Sequence, residues 1–284
     1  MPQGITEEQH SLLSQWLGPY SVLKDHSWPL QDTTVLHVSS ADGSFIVKAS
    51  TTSHHIRREI AAHSLGMPGP KGSFPTLRHA SADAGILVTE FLPGAPVEGT
   101  PAEDDPGTYH QAGVLLARLH RPVTVSTEYA KKLSYTTTLL MKKGRGLLDA
   151  GTLEHLGKRL AALSPGPVQL VTTHGDYQPR NWLQENSRIK VIDFGRADAR
   201  PWVHDLVRLS HQQFLGRPAL ADAFMAGLKN RIEESESDIW QLENLNQAMG
   251  TVVWGHGIGD YAFSQAGVEM VQRILAGLPV DTTP

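Results

Sequence analysis

Along the first 92 residues, short apolar runs alternate with turn residues. Ser21-Val22-Leu23, Thr34-Val35-Leu36-His37-Val38 and Phe45-Ile46-Val47-Lys48-Ala49 have the composition of strands, and Ala41-Asp42-Gly43 supplies a hairpin turn. Residues 54–65 (HHIRREIAAHSL) read as a helix stopped by Gly66 and Pro68, after which Ile86-Leu87-Val88-Thr89-Glu90 returns to strand. The pattern predicts a small antiparallel sheet with one helix. Phe91-Leu92-Pro93-Gly94-Ala95-Pro96 has the turn chemistry of a connector.

From about residue 103 the pattern becomes mainly helical: Ala112, Leu115, Leu116 and Leu119 share one face at i, i+3, i+4 and i+7. Further helices are predicted near 151–163, 202–215, 218–230, 237–251 and 261–276, and a strand at Ile189-Lys190-Val191-Ile192. Ser164-Pro165-Gly166-Pro167 is a local turn, and there is no repeat. The fold class expected is α/β (α+β) in two lobes, a β-rich one over residues 1–92 and a larger helix-rich one over residues 93–284.

A chain of 284 residues with 40% hydrophobic content is long enough to bury a full core. It contains no cysteine, which excludes disulfides and thiolate zinc sites. The N-terminal MPQGITEEQHSLLSQWLG lacks a signal-peptide pattern, and no apolar run reaches membrane-spanning length. The expectation is a cytoplasmic protein with no membrane partner. The net charge is −4, and residues 201–284 hold ten Asp and Glu against five Lys and Arg. Such acidity disfavours nucleic acid and favours cationic partners, although a solvated acidic face is the ordinary explanation of this bias.

The chemistry is concentrated between residues 174 and 195. Phosphoryl transfer needs neutralised phosphates, a metal bridge and a carboxylate that orients the attacking hydroxyl and accepts its proton. In HGDYQPRN, Asp176 is the candidate for that carboxylate, and Asn181, five residues on, offers Mg²⁺ a neutral oxygen. Asp193 opens the DFG turn after the strand, where one carboxylate can bridge metal and phosphates. Taken alone, HGD or DFG is turn punctuation. Their order and spacing around an apolar strand fit one mechanism.

Residues 172–209 (THGDYQPRNWLQENSRIKVIDFGRADARPWVHDLVRL) resemble the aminoglycoside phosphotransferase family, which is similar to the protein kinases and has HGD where they have HRD. The resemblance implies a protein-kinase-like fold with Asp176 as base, Asn181 and Asp193 as Mg²⁺ ligands, His174 as a loop-stabilising residue, and Asp205 as support beneath the catalytic loop. It also implies ATP or GTP as donor, with Lys48 on its strand reaching the α- and β-phosphates and Glu59 on the next helix holding that lysine. The plainer alternatives are an edge-strand surface lysine and a solvent-facing glutamate paired with Arg57 or Arg58. Glu90, Phe91 and Leu92 would present backbone to adenine. The loop from Lys24 to Thr34 has no G-x-G-x-x-G, and Ser27 is its weak phosphate candidate.

The fourteen histidines show no metal-binding spacing, and adjacent His54 and His55 diverge by about 100° on a helix. Trp254-Gly255-His256-Gly257-Ile258-Gly259-Asp260-Tyr261 reads as a glycine-rich break between two helices, with Trp254, Asp260 and, nearer the DFG turn, Asp198 as substrate candidates. Packing against the large lobe is the plainer role for those aromatics. The acceptor expected is a hydroxyl of a cationic antibiotic, an aminoglycoside or a cyclic peptide of the viomycin and capreomycin type, so that the enzyme confers resistance. The rivals are a metabolic kinase of choline, ethanolamine, homoserine or a fructosamine, and a nucleotide-binding pseudokinase.

Overall fold

Thr6 caps the first helix by chemistry visible in the sequence. The computed structural model describes residues 4–28, 32–52 and 54–277, so the 24–34 loop falls partly outside the described residues. Thr6 Oγ1 accepts from the Gln9 N–H, and Gln9 Oε1 accepts from the Thr6 N–H, a reciprocal cap that starts helix α1 (Glu7–Leu17). Next come β1 (Tyr20–Asp25), β2 (Thr34–Ser40), β3 (Gly43–Ala49), α2 (His54–Ser64), β4 (Leu77–Ser81), β5 (Ile86–Glu90), β6 (Ala95–Pro96) and α3 (Pro106–Leu119). The chain continues through β7 (Pro122–Ser126), α4 (Tyr129–Lys143), α5 (Ala150–Ala162), β8 (Val168–Thr173), β9 (Trp182–Glu185), β10 (Arg188–Val191) and β11 (Asp198–Arg200). It ends with α6 (Val207–His211), α7 (Pro218–Leu228), α8 (Ser237–Gly257) and α9 (Tyr261–Gly277). Backbone contacts group these residues into two compact units, 1–119 with 174–198 and 120–173 with 199–284.

In the first unit, five antiparallel strands run in the order β1-β2-β3-β5-β4. The two-residue period of β3 turns Phe45, Val47 and Ala49 to one face, where they join Leu36, Val38, Ile86 and Val88 against Leu13 and Leu17 of α1. Ile46 and Lys48 therefore occupy the opposite face. A second small sheet, β10-β9-β6, holds the middle of the 174–195 segment, between the HGD loop and the DFG turn.

In the second unit, β8 pairs with β7 and has β11 on its other side, while α8 packs most extensively on α9 and α4. The region beyond residue 103 is therefore not simply helical: β7, β8 and β9 were not expected, and neither were α4 and, earlier in the chain, α1 and β4. The helix expected over 202–215 is a 3-10 turn over Trp202–Leu206 followed by the short α6. The expected break at Trp254–Tyr261 also needs correction, because α8 continues through Gly257. Gly259, at φ +77°, lies in the short turn between α8 and α9, whereas Gly255 serves helix packing. A Cβ on Gly255 would lie 2.6 Å from the Ser264 nitrogen, and one on Gly267 would lie 2.6 Å from that of Val252, so the two backbones approach where only hydrogen fits.

Two buried histidines tie stability to pH. His63 on α2 is pushed down to about 4 by burial and then by Lys48, and burial pushes His211 on α6 down to about 4. His211 donates from Nε2 to Asn244 Oδ1 at 2.8 Å, while Arg273 Nε donates to its Nδ1 at 3.3 Å, so the neutral ring is the bonded form. Their folded values lie below the ordinary 6.5, so the unfolded chain binds more protons between pH 6.5 and about 4, and stability falls as pH drops through that window. Each should contribute on the order of 2–3 kcal/mol. Melting temperature measured from pH 7.5 to 4.5 should decline. His63→Leu should flatten part of the slope by removing the titrating ring, at little cost in bonding because His63 Nε2 has no hydrogen-bond partner among the described residues; an unchanged slope in that variant would contradict the assignment to His63.

Candidate active site

The HGD segment turns sharply because Gly175 has φ +81°, a conformation that disfavours any side chain. His174, fully buried, holds the turn at both ends: its Nε2 hydrogen-bonds the Ile192 carbonyl at 3.0 Å, and its Nδ1 accepts from the Asp176 N–H at 3.3 Å. The backbone of Asn181 takes the Ile192 N–H at 3.0 Å, so the loop and the start of DFG are fastened by adjacent bonds. Tyr177 anchors the middle of the loop, its hydroxyl donating to the Ala112 carbonyl of α3 at 2.7 Å.

Asp176 is only 4% exposed and is ringed by donors from its own loop. Gln178 Nε2 donates to Oδ1 at 2.6 Å, Arg180 Nη2 to Oδ2 at 2.7 Å and Asn181 Nδ2 to Oδ2 at 3.3 Å. Asn181 Nδ2 also donates to the Asp176 carbonyl at 2.8 Å, which leaves its Oδ1 as the atom to offer a hard cation. Gln178 and Arg180 were not singled out in the sequence; their only signal was their place in the loop.

Asp193 has φ +69°, a left-handed backbone unusual for a residue with a side chain. The next residue holds it there: Phe194 is fully buried, its ring centroid 4.8 Å from that of His174, 5.6 Å from His63 and 5.9 Å from Phe74. Lys48, on the face of β3 away from α1, donates to Asp193 Oδ1 at 2.7 Å and to Glu59 Oε2 and Oε1 at 2.8 and 3.0 Å. Glu59 lies on α2 at 3% exposure, so neither the edge-strand lysine nor the solvent-facing glutamate describes these residues. Burial alone would push the Lys48 ammonium down, but Asp193 and Glu59 outweigh it and hold the ammonium above its usual range. Lys48 in turn holds the Asp193 carboxyl low, while burial raises Glu59 against the pull of the same lysine.

At the connector, the Glu90 N–H donates to the Thr76 carbonyl at 2.8 Å and the Phe91 N–H to the Ser44 carbonyl at 3.0 Å. Arg78 pairs with the Glu90 carboxylate at 3.2 Å, and the Phe91 ring stacks on His37 with centroids 3.9 Å apart. Leu92 is 8% exposed, and its N–H carries no hydrogen bond among the described residues. Ser27 Oγ accepts the Val35 N–H at 3.0 Å, and its own N–H donates to Asp25, so the serine closes the strand connection.

The remaining candidates are dispersed. Asp198 faces Arg58 at 3.4 Å in the first unit. In the second unit, Asp205 is buried and bonds His120 Nε2 at 2.9 Å, Asp260 caps α9 through the Phe263 N–H at 3.0 Å, and Trp254 meets Phe263 edge to face. Part of the acidity of residues 201–284 is structural. Glu243 takes the Tyr129 hydroxyl and His204, Glu236 takes the Trp202 indole, and Asp238 takes the Ser164 N–H. A cavity of about 140 Å³ in this unit has Arg208, Arg273, His211 and Glu269 on its wall, a set with no surplus of negative charge for a cationic acceptor. None of the described helices is long and apolar enough to cross a membrane.

Comparison with solved structures gives the same fold at low sequence identity. A thermostable mutant of the aminoglycoside phosphotransferase APH(4)-Ia, in ternary complex with ADP and hygromycin B, aligns with TM-score 0.67 and 11% identity over 98% of this chain and 100% of that one. The GDP complex of aminoglycoside 2'-phosphotransferase-IIIa aligns with TM-score 0.65 and 16% identity over 95% and 98%. The macrolide 2'-phosphotransferase MphH from Brachybacterium faecium, as apoenzyme, aligns with TM-score 0.62 and 16% identity over 94% and 98%. The fold is thus the protein-kinase-like one of these enzymes. No curated protein matches the chain in sequence. The family model described as the phosphotransferase enzyme family matches residues 29–238, most of the chain and every residue of the Lys48, Asp176 and Asp193 constellation. The chain belongs to the phosphotransferase enzyme family and is a phosphotransferase.

Proposed function

We propose that this phosphotransferase moves the γ-phosphoryl group of ATP or GTP to a hydroxyl of a cationic antibiotic, an aminoglycoside or a tuberactinomycin-type cyclic peptide, and so confers resistance in the cytoplasm. The observation that carries this reading is the meeting of Lys48, Glu59 and Asp193 in one ion cluster, with the Asp176 loop hydrogen-bonded to the strand leading into Asp193. Structures of the same fold with ADP and hygromycin B, and with GDP, support the choice of donor and acceptor.

In this reading Asp176 accepts the proton as the acceptor oxygen attacks phosphorus and the bond to the β-phosphate oxygen breaks, the electron pair leaving with the nucleoside diphosphate. Lys48 meets the α- and β-phosphates and Glu59 keeps it in place. The Leu92 N–H, with the carbonyl of Glu90, takes the base at the connector. Asn181 Oδ1 and the Asp193 carboxylate are the oxygen donors that would hold Mg²⁺, whose chemistry is to neutralise phosphate charge. His174 keeps the loop in place, with Asp205 as structural support. Asp198, Trp254 and Asp260 remain the acceptor-side candidates.

The test is incubation with ATP or GTP and Mg²⁺ against aminoglycosides, tuberactinomycins, macrolides and amino alcohols, read by mass. A gain of one phosphate on an aminoglycoside or tuberactinomycin is expected. Transfer only to an amino alcohol or a macrolide would overturn the acceptor assignment, and transfer to nothing would overturn the reading itself.

A further inference from the structure

The proposed base is held by two side chains that no requirement of phosphoryl transfer calls for by itself. Gln178 and Arg180 approach Asp176 from opposite oxygens, the amide on Oδ1 at 2.6 Å and the guanidinium on Oδ2 at 2.7 Å. A carboxylate held on one oxygen can still turn about its terminal torsion, which is broad and two-fold. Held on both, its plane is locked. Arg180 is suited to the charged half of this clamp because it occupies the short 3-10 turn Pro179–Asn181, where backbone bonds set its distance from Asp176. Asn181 contacts the same oxygen at 3.3 Å with its one side-chain nitrogen, already committed to the Asp176 carbonyl at 2.8 Å, so it is the weaker restraint.

We propose that Arg180 is a positioning residue of this phosphotransferase, fixing the plane of the Asp176 carboxylate from Oδ2 while Gln178 fixes it from Oδ1. The proposal rests on Asp176 being the base. Arg180 acts through Asp176, so its contribution exists only while residue 176 is a carboxylate. The Arg180 side chain is 40% exposed, and Gln178 and Asn181 still donate to the Asp176 carboxylate when it is replaced.

Steady-state kinetics of Arg180→Ala, Arg180→Lys, Asp176→Asn and the Asp176→Asn/Arg180→Ala double variant test this. Arg180→Ala should lower kcat by about 10²-fold, the effect of a displaced catalytic group, with the nucleotide KM unchanged. Added guanidinium ion should restore part of that rate. Arg180→Lys should fall between wild type and Arg180→Ala, because the charge returns without the planar fork. In the Asp176→Asn background, Arg180→Ala should change the residual rate by less than about 2-fold. Melting temperature of each variant identifies a loss caused by unfolding, and Arg180→Lys then serves as the folded comparison. A near-wild-type kcat in Arg180→Ala, or an equal loss in both backgrounds, overturns the proposal while leaving the phosphotransfer reading intact. A wild-type enzyme that phosphorylates nothing, or an Asp176→Asn variant that is fully active, overturns the reading and this proposal with it.

Discussion

Asp176→Asn should reduce turnover by about 10²-fold or more, the usual loss when a positioned proton acceptor is removed, while the folded protein remains. The asymmetry follows from the ring of donors around the carboxylate. Arg180 and Asn181 both donate to Oδ2, and Gln178 donates to Oδ1. An asparagine can present its oxygen to Arg180 and Asn181 and its nitrogen to residue 178. Gln178 carries both an acceptor and donors on its amide and meets the new nitrogen by turning over. The hydrogen bonds therefore survive in number, and only the proton-accepting charge is lost. Single-turnover transfer to any phosphorylated compound, with a melting curve on the same sample, checks both halves. Retention of more than about a third of the wild-type rate would remove Asp176 from the role of base.

Lys48→Met should lower both activity and stability, the second by about 3 kcal/mol near neutral pH, the typical cost of breaking a buried pair from one side. Lys48 is the shared partner of Glu59 and Asp193, and Glu59 is only 3% exposed. Without the ammonium, two carboxylates face the gap, and the buried one is driven further above its ordinary value by burial and by Asp193. A carboxyl raised in the folded state is favourable below its unfolded value and becomes a liability as pH rises through the folded value. The stability deficit of Lys48→Met should thus be small at pH 5 and largest at pH 8. Denaturant melts at the two values measure this. Lys48→Met/Glu59→Gln should recover much of the stability and none of the activity, because the buried charge is gone but the cation is not restored. An equal deficit at both pH values would mean that the cluster is not held by charge.

The parts of the site legible in the sequence are those for which local geometry is sufficient. His174, Asp176, Asn181 and Asp193 lie in one loop-strand-turn segment, and their spacing alone makes them neighbours. Lys48 was legible through the two-residue period of β3, since a lysine among apolar residues must take the face opposite Phe45, Val47 and Ala49. Helix α1 was equally legible, in the Thr6–Gln9 cap and the apolar spacing of Leu13 and Leu17. Strands β7 and β8 were not: they pair across the whole of α4 and α5, and the Val-Thr-Val-Ser alternation of β7 turns Val123 and Val125 to solvent, so it does not mark a core-facing strand. The Trp254 segment misled for the converse reason, because Gly255, which marks a turn in isolation, here admits a second helix backbone.

The sequence by itself determined which chemical groups are present and which belong to one local segment: the HGD loop, the DFG turn, and the strand and helix carrying Lys48 and Glu59. Only the tertiary structure decided what surrounds each group. It put Glu59 out of water, gave Lys48 two carboxylates to neutralise, and placed Gln178 and Arg180 on opposite oxygens of Asp176. It also committed part of the C-terminal acidity to buried bonds, through Asp205 and Glu243, and to the Asp260 cap. The division is physical. Chain connectivity and periodicity act over a few residues and are written in order along the chain. Burial, charge pairing and the direction of a side chain depend on neighbours remote in sequence, such as Lys48 and Asp193, which are separated by 145 residues along the chain.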